Sequence, residues 1–226
     1  MALAVDCKNL TKTFGMGTSQ TLALQEVDFT VNEEELVLIV GPSGSGKTTL
    51  LSIIGGILKP DEGEVNIYDH PLTKLSTSEN DLYRKKNIGF IFQSFNLIPT
   101  LTAEENVSIP LLLNDISEES ALQEAREILA TLGLGDKTHR YPKQLSTGEQ
   151  QRVSIARGAI IKPPLILCDE PTSYLDAETG KSVMEHLKKI QREKKCAVVV
   201  VTHDPRIFDY ADRVEKIEDG RITHLK

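Results

Sequence analysis

Residues 36–48 read Leu-Val-Leu-Ile-Val-Gly-Pro-Ser-Gly-Ser-Gly-Lys-Thr. The first five are all apolar, as in a strand buried on both faces. Residues 41–48 then satisfy the pattern Gly-x4-Gly-Lys-Ser/Thr, in which glycines let the backbone wrap a phosphate with its N–H groups turned inward. Lys47 adds a charge for the β- and γ-phosphates, and the Thr48 hydroxyl suits Mg²⁺. Residues 48–57 continue as a helix. Strand, glycine loop and helix in this order predict an α/β fold whose ligands sit at the carboxyl ends of its strands.

Similar strand-sized runs recur at 88–92, 165–168 and 197–201, with helical stretches such as 180–193 among them. They read as further parallel strands of one sheet. The first third differs. Residues 5–10, 21–31 and 63–68 read as strands joined by turns, predicting an antiparallel β piece packed on the main sheet. Residues 94–152 break the alternation, with Pro99, Pro110 and then a helical stretch at 118–132. This predicts a helical insertion, leaving 1–93 and 153–226 as the core of a single domain. Glu33, Glu34 and Glu35 read as a turn into the next strand. Lys188, Lys189, Lys194 and Lys195 read as a solvated helix face and loop.

Bulk composition narrows the function. The 226 residues carry a net charge of −7, which argues against nucleic acid as a partner. The three cysteines, Cys7, Cys168 and Cys196, have neither metal spacing nor an even count, which suits a reducing compartment. Charge arrives too early for a secretory signal, and no run nears the roughly 18 apolar residues of a membrane span. Any membrane part must come from another chain.

Several strand ends carry polar groups. Residues 165–170 read Leu-Ile-Leu-Cys-Asp-Glu: Asp169 can hold Mg²⁺, and Glu170 can orient or deprotonate an attacking water. His203 follows Ala-Val-Val-Val-Val-Thr, at a strand end beside the other two, within reach of the γ-phosphate. His70, His139, His186 and His224 have no such context and are assigned to the surface. Gln93 ends Ile-Gly-Phe-Ile-Phe-Gln and can bind Mg²⁺ or water without charge. Residues 145–152 read Leu-Ser-Thr-Gly-Glu-Gln-Gln-Arg. Ser146 and Glu149 fit a capping box and predict a helix over 150–161. A helix start of this kind also suits an anion, so capping and phosphate binding both stay open on the residues alone.

In order and spacing, residues 41–48, Gln93, 145–150, 165–170, 173–176 and His203 resemble the nucleotide-binding domains of ABC transporters, across essentially the whole chain. The resemblance implies a P-loop NTPase core with a RecA-like parallel sheet, an antiparallel β subdomain and a helical insertion. It implies ATP and Mg²⁺ as ligands. Gly41, Ser43, Gly44, Ser45, Gly46, Lys47, Thr48 and Thr49 would form the phosphate loop, and Phe14 would stack on adenine. Thr48, Gln93 and Asp169 would serve the metal, and Glu170, His203 and Gln93 the chemistry. Leu-Ser-Thr-Gly-Glu looks like the family signature Leu-Ser-Gly-Gly-Gln. By that resemblance Ser146, Gly148 and Glu149 face the γ-phosphate held by a second copy, in a head-to-tail dimer. Asp176 matches the loop that couples the two sites, and Gln93 the lever toward a membrane permease.

Four positions depart from the family pattern. Thr147 replaces a glycine and Glu149 a glutamine, while Gly158 and Tyr174 stand where alanine is usual. Stretches 41–57, 87–113 and 209–220 further resemble the LolD/MacB group, especially DevA-type exporters. That likeness implies a permease with a large external domain, often joined by a periplasmic adaptor and an outer-membrane channel. It also implies a peripheral place on the cytoplasmic face of the inner membrane. An apolar groove near 94–113, with Phe95, Leu97, Ile98 and Leu101 exposed, is expected to receive a short permease helix. Two rivals stand beside this reading: a phosphate-loop small-molecule kinase, and a division-type signalling ATPase bound to a non-transporting membrane protein.

Overall fold

The computed structural model describes residues 2–15 and 20–224. Among these residues, ten strands and six α-helices follow in chain order. They are β1 (Leu3–Phe14), β2 (Thr21–Asn32), β3 (Leu36–Val40), α1 (Lys47–Ile54), β4 (Glu62–Ile67), β5 (His70–Pro71), α2 (Thr77–Asn87), β6 (Ile88–Ile91), α3 (Ala103–Leu113), α4 (Glu118–Thr131), α5 (Thr147–Ala159), β7 (Leu165–Asp169), α6 (Ala177–Lys194), β8 (Ala197–Thr202), β9 (Arg213–Glu218) and β10 (Arg221–His224). The first sheet, in order β2-β1-β4-β5, is antiparallel. The second runs β10-β9-β3-β8-β7-β6, with every pair parallel except the β9–β10 hairpin.

The apolar runs pack as their pattern requires. Leu36, Leu38 and Val40 of β3, with Val198 and Val200 of β8, join the core under α5 and α6. Val37, Ile39, Val199 and Val201 point the other way, onto α1 and the antiparallel sheet. Each fully buried side chain of this kind stabilises by roughly 1.5–3 kcal/mol, which pins the register, because a one-residue slip would exchange the two faces. The register sets Val40 beside Thr202 and Asp169 beside Val201, so the polar strand ends converge on one edge.

The expected strands and helices are present, with shifted ends. α1 stops at Ile54, where Gly55 and Gly56 follow and Gly56 takes φ 63. The boundary expected between 152 and 153 falls inside α5, which crosses from the insertion to the core. Its far end lies so close to β6 that a methyl on Gly89 would sit 2.1 Å from the Gly158 carbonyl oxygen. Glu33 and Glu34 do form the turn before β3.

Three surface expectations change. Phe95, Leu97 and Leu101 are half-buried, and Leu97 packs on the core; of the four only Ile98 is open, at 42%. The largely apolar groove beside the insertion is instead lined by Ile57, Ile88, Phe90, Phe92 and Leu113, together with Asp81, Arg84 and Lys85, and measures about 420 Å³. His186 is half-buried and its Nδ1 bonds the Ser182 carbonyl at 2.7 Å, and Lys188 folds onto Asp212 at 2.8 Å. His70 and His139 are exposed, while the His224 side chain lies outside the described residues. No helix among the described residues is long and apolar enough to cross a membrane.

Candidate active site

The loop after β3 owes its shape to glycine. Gly44 and Gly46 adopt φ 80 and 104, which side chains resist. A methyl on Gly46 would also meet the Ala23 carbonyl oxygen at 2.3 Å. Lys47 Nζ donates to the Gly41 and Pro42 carbonyls, both at 2.8 Å, so its ammonium lies across the loop. Burial pushes the Lys47 pKa down, against the opposing charges of Glu170 and Asp169. Ser45 turns inward and is buried, and its Oγ has no hydrogen-bond partner among the described residues.

At the end of β7, Asp169 Oδ1 accepts from Thr48 Oγ1 at 3.1 Å. Burial raises the Asp169 pKa; the Thr48 hydroxyl and Lys47 oppose this, and the Glu170 charge adds to it. Glu170 stands at φ 48, a strained value for a side-chain-bearing residue. It is held there from several sides. Its N–H donates to Val201 O at 2.9 Å, Ser173 Oγ donates to its Oε2 at 2.8 Å, and His203 Nδ1 bonds its Oε1 at 2.8 Å. The Glu170 side chain is only 10% exposed, whereas the His203 ring is 63% exposed and reaches the open side.

Lys47, Thr48, Glu170 and His203 line one cleft of about 640 Å³, within the size range of small-molecule sites, whereas Asp169 and Ser45 lie outside its lining. Phe14, Ser43, Gly44, Gly46, Lys47, Thr48, Thr49, Gln93, Glu170 and His203 all line it. Gly41 lies behind, where a methyl would meet Ile217 O at 2.1 Å. Phe14, at the rim, is 44% exposed, with Lys12 Nζ 5.8 Å from its ring centre. The donor set fits Mg²⁺. That ion keeps few protein ligands and completes its shell with water and phosphate oxygens, and Thr48, Asp169 and Gln93 offer one hydroxyl, one carboxylate and one amide. Among the described residues no group of three or more His, Cys, Asp or Glu forms a protein-only metal cage.

Ser146, Gly148 and Glu149 do not line this cleft. Ser146 caps α5 as expected: its Oγ accepts from Glu149 N at 3.4 Å, and Glu149 Oε2 accepts from Ser146 N at 2.8 Å. Glu149 Oε1 pairs with Lys137. Both carboxylate oxygens are therefore engaged within the chain, whereas the Ser146 side chain is exposed. Gly148 packs tightly on Thr179, whose Cγ2 would be 2.4 Å from an added methyl.

Some supporting contacts carried no signal in the sequence, that of Ser173 included although the residue lies in the matched stretch 173–176. Ser173 bonds Glu170. Thr172 and Arg206 both donate to Asp204, at 3.1 Å from Thr172 Oγ1 and 2.8 Å from Arg206 Nε. Arg157 holds the carbonyls of Phe95 and Asn96, just beyond Gln93, at 2.6 and 2.7 Å.

A family model described as ABC transporter matches residues 24–173. This chain belongs to the ABC transporter family. Among curated relatives, the uncharacterized ABC transporter ATP-binding protein MJ1508 of Methanocaldococcus jannaschii is 41% identical over 221 residues, 98% of each chain. The putative hemin import ATP-binding protein HrtA of Staphylococcus aureus is 42% identical over 223 residues, 99% of this chain and 100% of its own. Among solved structures, a dimeric post-hydrolysis state of the ATP-binding cassette MJ0796, bound to ADP and Pi, superposes with a TM-score of 0.91 at 44% identity. That match covers 98% of this chain and 99% of the other. The ABC cassette is an ATPase, and ATP is its nucleotide.

Proposed function

We propose that this ABC cassette is the ATP-hydrolysing subunit of an export complex and works as a head-to-tail homodimer on a separate membrane permease. One observation carries the reading. The cleft holds every catalytic side chain but lacks the exposed, capped start of α5, whose Ser146 hydroxyl and helix N-terminus suit a phosphate. A second copy, turned head to tail, supplies that start to the first copy's nucleotide. The relative MJ0796 is dimeric in its structure with ADP and Pi.

The residues then divide the work. Phe14 offers a ring face to the base. The glycine loop and Lys47 take the phosphate charge. Thr48 and Asp169, with Gln93, would hold Mg²⁺, which when bound offsets charge on the β- and γ-phosphates. Glu170, fixed by Ser173 and His203, orients or deprotonates the attacking water. His203 and the second copy's Ser146 stabilise the charge that develops on the γ-phosphoryl oxygens, and donors of this type contribute on the order of 10²–10³ each in rate.

The apolar groove at Phe90, Phe92 and Leu113 is the surface for a short helix of the permease. The likeness of residues 41–57, 87–113 and 209–220 to the LolD/MacB group, DevA-type exporters in particular, supports a permease with a large external domain. It supports a periplasmic adaptor and an outer-membrane channel beside it, and a place on the cytoplasmic face of the membrane. The relative HrtA is named for hemin import, so direction is tested directly, by reconstituting the complex in vesicles of known orientation.

The dimer is tested with Glu170→Gln. Under Mg-ATP this variant should elute at twice the monomer mass in light-scattering chromatography while hydrolysing ATP at least about 100-fold more slowly. A variant that stays monomeric with its permease as well as in solution, or that hydrolyses at the wild-type rate, would refute the reading.

A further inference from the structure

The segment between β7 and α6, together with the first turn of α6, contacts Glu170, Phe95 and Gly148. Ser173 donates to Glu170 Oε2 at 2.8 Å. Tyr174 meets Phe95 edge-on, with centroids 6.2 Å apart and ring planes at 73°. Thr179, bonded to Asp176 Oδ2 at 2.7 Å, packs on Gly148. Phe95 belongs to the loop that leaves the cleft at Gln93. It and Asn96 hold left-handed backbone, φ 59 and 49, and Arg157 of α5 grips both of their carbonyls. That loop is therefore pinned from one side by α5, and its ring contact with the β7–α6 segment is through Phe95.

Tyr174 is 57% exposed, so burial does not account for an aromatic at this position. Its turn is short. Ser173 N donates to Glu170 O at 3.2 Å, and Leu175 N to Thr172 O at 3.1 Å. A displacement of residue 174 therefore moves Ser173 with it. An alanine would end at Cβ and leave the Phe95 ring without this partner.

We propose that Tyr174 is a positioning residue for ATP hydrolysis: its edge contact with Phe95 holds the turn in which Ser173 donates to Glu170, tying the loop after Gln93 to the carboxylate that handles the water. The proposal rests on the reading of Glu170 given above. An aromatic pair of this geometry carries free energy equivalent to roughly a two- to ten-fold factor, which bounds what its loss can cost the rate through the turn.

The test is steady-state ATPase activity of the full chain, with melting temperatures recorded for every variant. Tyr174→Ala and Phe95→Ala should each lower kcat about two- to ten-fold with KM for Mg-ATP little changed. The double variant should be no slower than either single one. Tyr174→Phe keeps the ring and should restore the rate, and Ser173→Ala should reproduce the loss, with Tyr174→Ala adding little to it. Additive losses, a change confined to KM, or a Tyr174→Phe rate as low as that of Tyr174→Ala would overturn the proposal. Glu170→Gln in the same series separates the two readings. An inactive Glu170→Gln beside an unaffected Tyr174→Ala removes only the role of Tyr174, whereas a fully active Glu170→Gln removes the role of Glu170 and this proposal with it.

Discussion

A methyl added at Gly148 would come within 2.4 Å of Thr179 Cγ2. Thr179 is not free to turn aside, because its hydroxyl is held by Asp176 at 2.7 Å. Overpacking costs typically about 1–3 kcal/mol, which exceeds the ~1 kcal/mol that alanine gains over glycine in a helix. Gly148→Ala should therefore lower the melting temperature by a few degrees. Adding Thr179→Ser removes the obstructing methyl, keeps the hydroxyl, and should recover most of the loss. Thermal denaturation of both variants measures this, and a Gly148→Ala protein as stable as the wild type would show that the contact yields freely. At Asp169, the partner of Thr48, substitution by Asn keeps the size and removes the charge. Mg²⁺-dependent ATPase activity should fall on the order of 100-fold or more, while the pairing of β7 with its neighbours is untouched. Activity near wild type would take Asp169 out of the metal site.

Among the elements, the insertion has a charged pair between helices beside its apolar core. Arg126 of α4 donates through Nε to Glu104 of α3 at 2.8 Å and through a terminal nitrogen at 3.3 Å. The Arg126 hydrogen bond holds the Glu104 carboxyl below its ordinary value of 4.5, with burial opposing and Thr138 and His139 assisting. A lowered carboxylate pKa gives stability that is complete above the unfolded value and disappears as pH falls through the folded one. The wild type should thus lose melting temperature below about pH 4.5, whereas Glu104→Gln should start lower at pH 7 and fall less. Parallel profiles for the two proteins would show that Glu104 is not the titrating group. The elements differ in how plainly the sequence announces them. β3, β7 and β8 are apolar on both faces, so runs of Val, Leu and Ile disclose them. α2 is a polar surface helix whose Leu82 is 57% exposed, and it presents no apolar stripe to find. α3 contains Pro110 and buries Asn106, whose amide bonds the carbonyls of Ile98, Leu101 and Thr102, so pattern and proline both argue against a helix that tertiary contacts nevertheless secure. The β9–β10 hairpin did carry a signal: Asp219-Gly220, with φ 48 and 74, suits a tight turn between strands. In the cleft, residues on strand ends and in the glycine loop were legible because their spacing is local. Arg157 and Thr179 act through contacts made by the fold, and nothing in their own neighbourhood marks them; Ser173 lies in the matched stretch 173–176, but its bond to Glu170 is not visible there.

For the whole molecule, the nucleotide cleft and the apolar groove are separate places joined by β6. Its Ile88 and Phe90 line the groove with Phe92 just beyond the strand, and Gln93 directly after it lines the cleft. On the proposal above, a permease helix seated in the groove would press on the segment that carries Gln93, giving a mechanical route from permease to nucleotide. Leu113 stands at the end of α3 on the far wall, 60% exposed, and contributes little to the core. Leu113→Glu places a charge where an apolar helix face would dock, at little expected change in folding, since surface substitutions usually fall within ±0.5 kcal/mol or so. Basal ATPase activity of the isolated cassette should stay close to wild type, and the change that the permease induces in that activity should be lost, together with co-purification of the pair. Measuring ATPase with and without the reconstituted permease separates the two effects. If basal activity falls as far as the stimulated rate, the groove serves the cassette's own stability rather than a partner; if neither changes, the permease docks elsewhere and the route through β6 is not the one it uses.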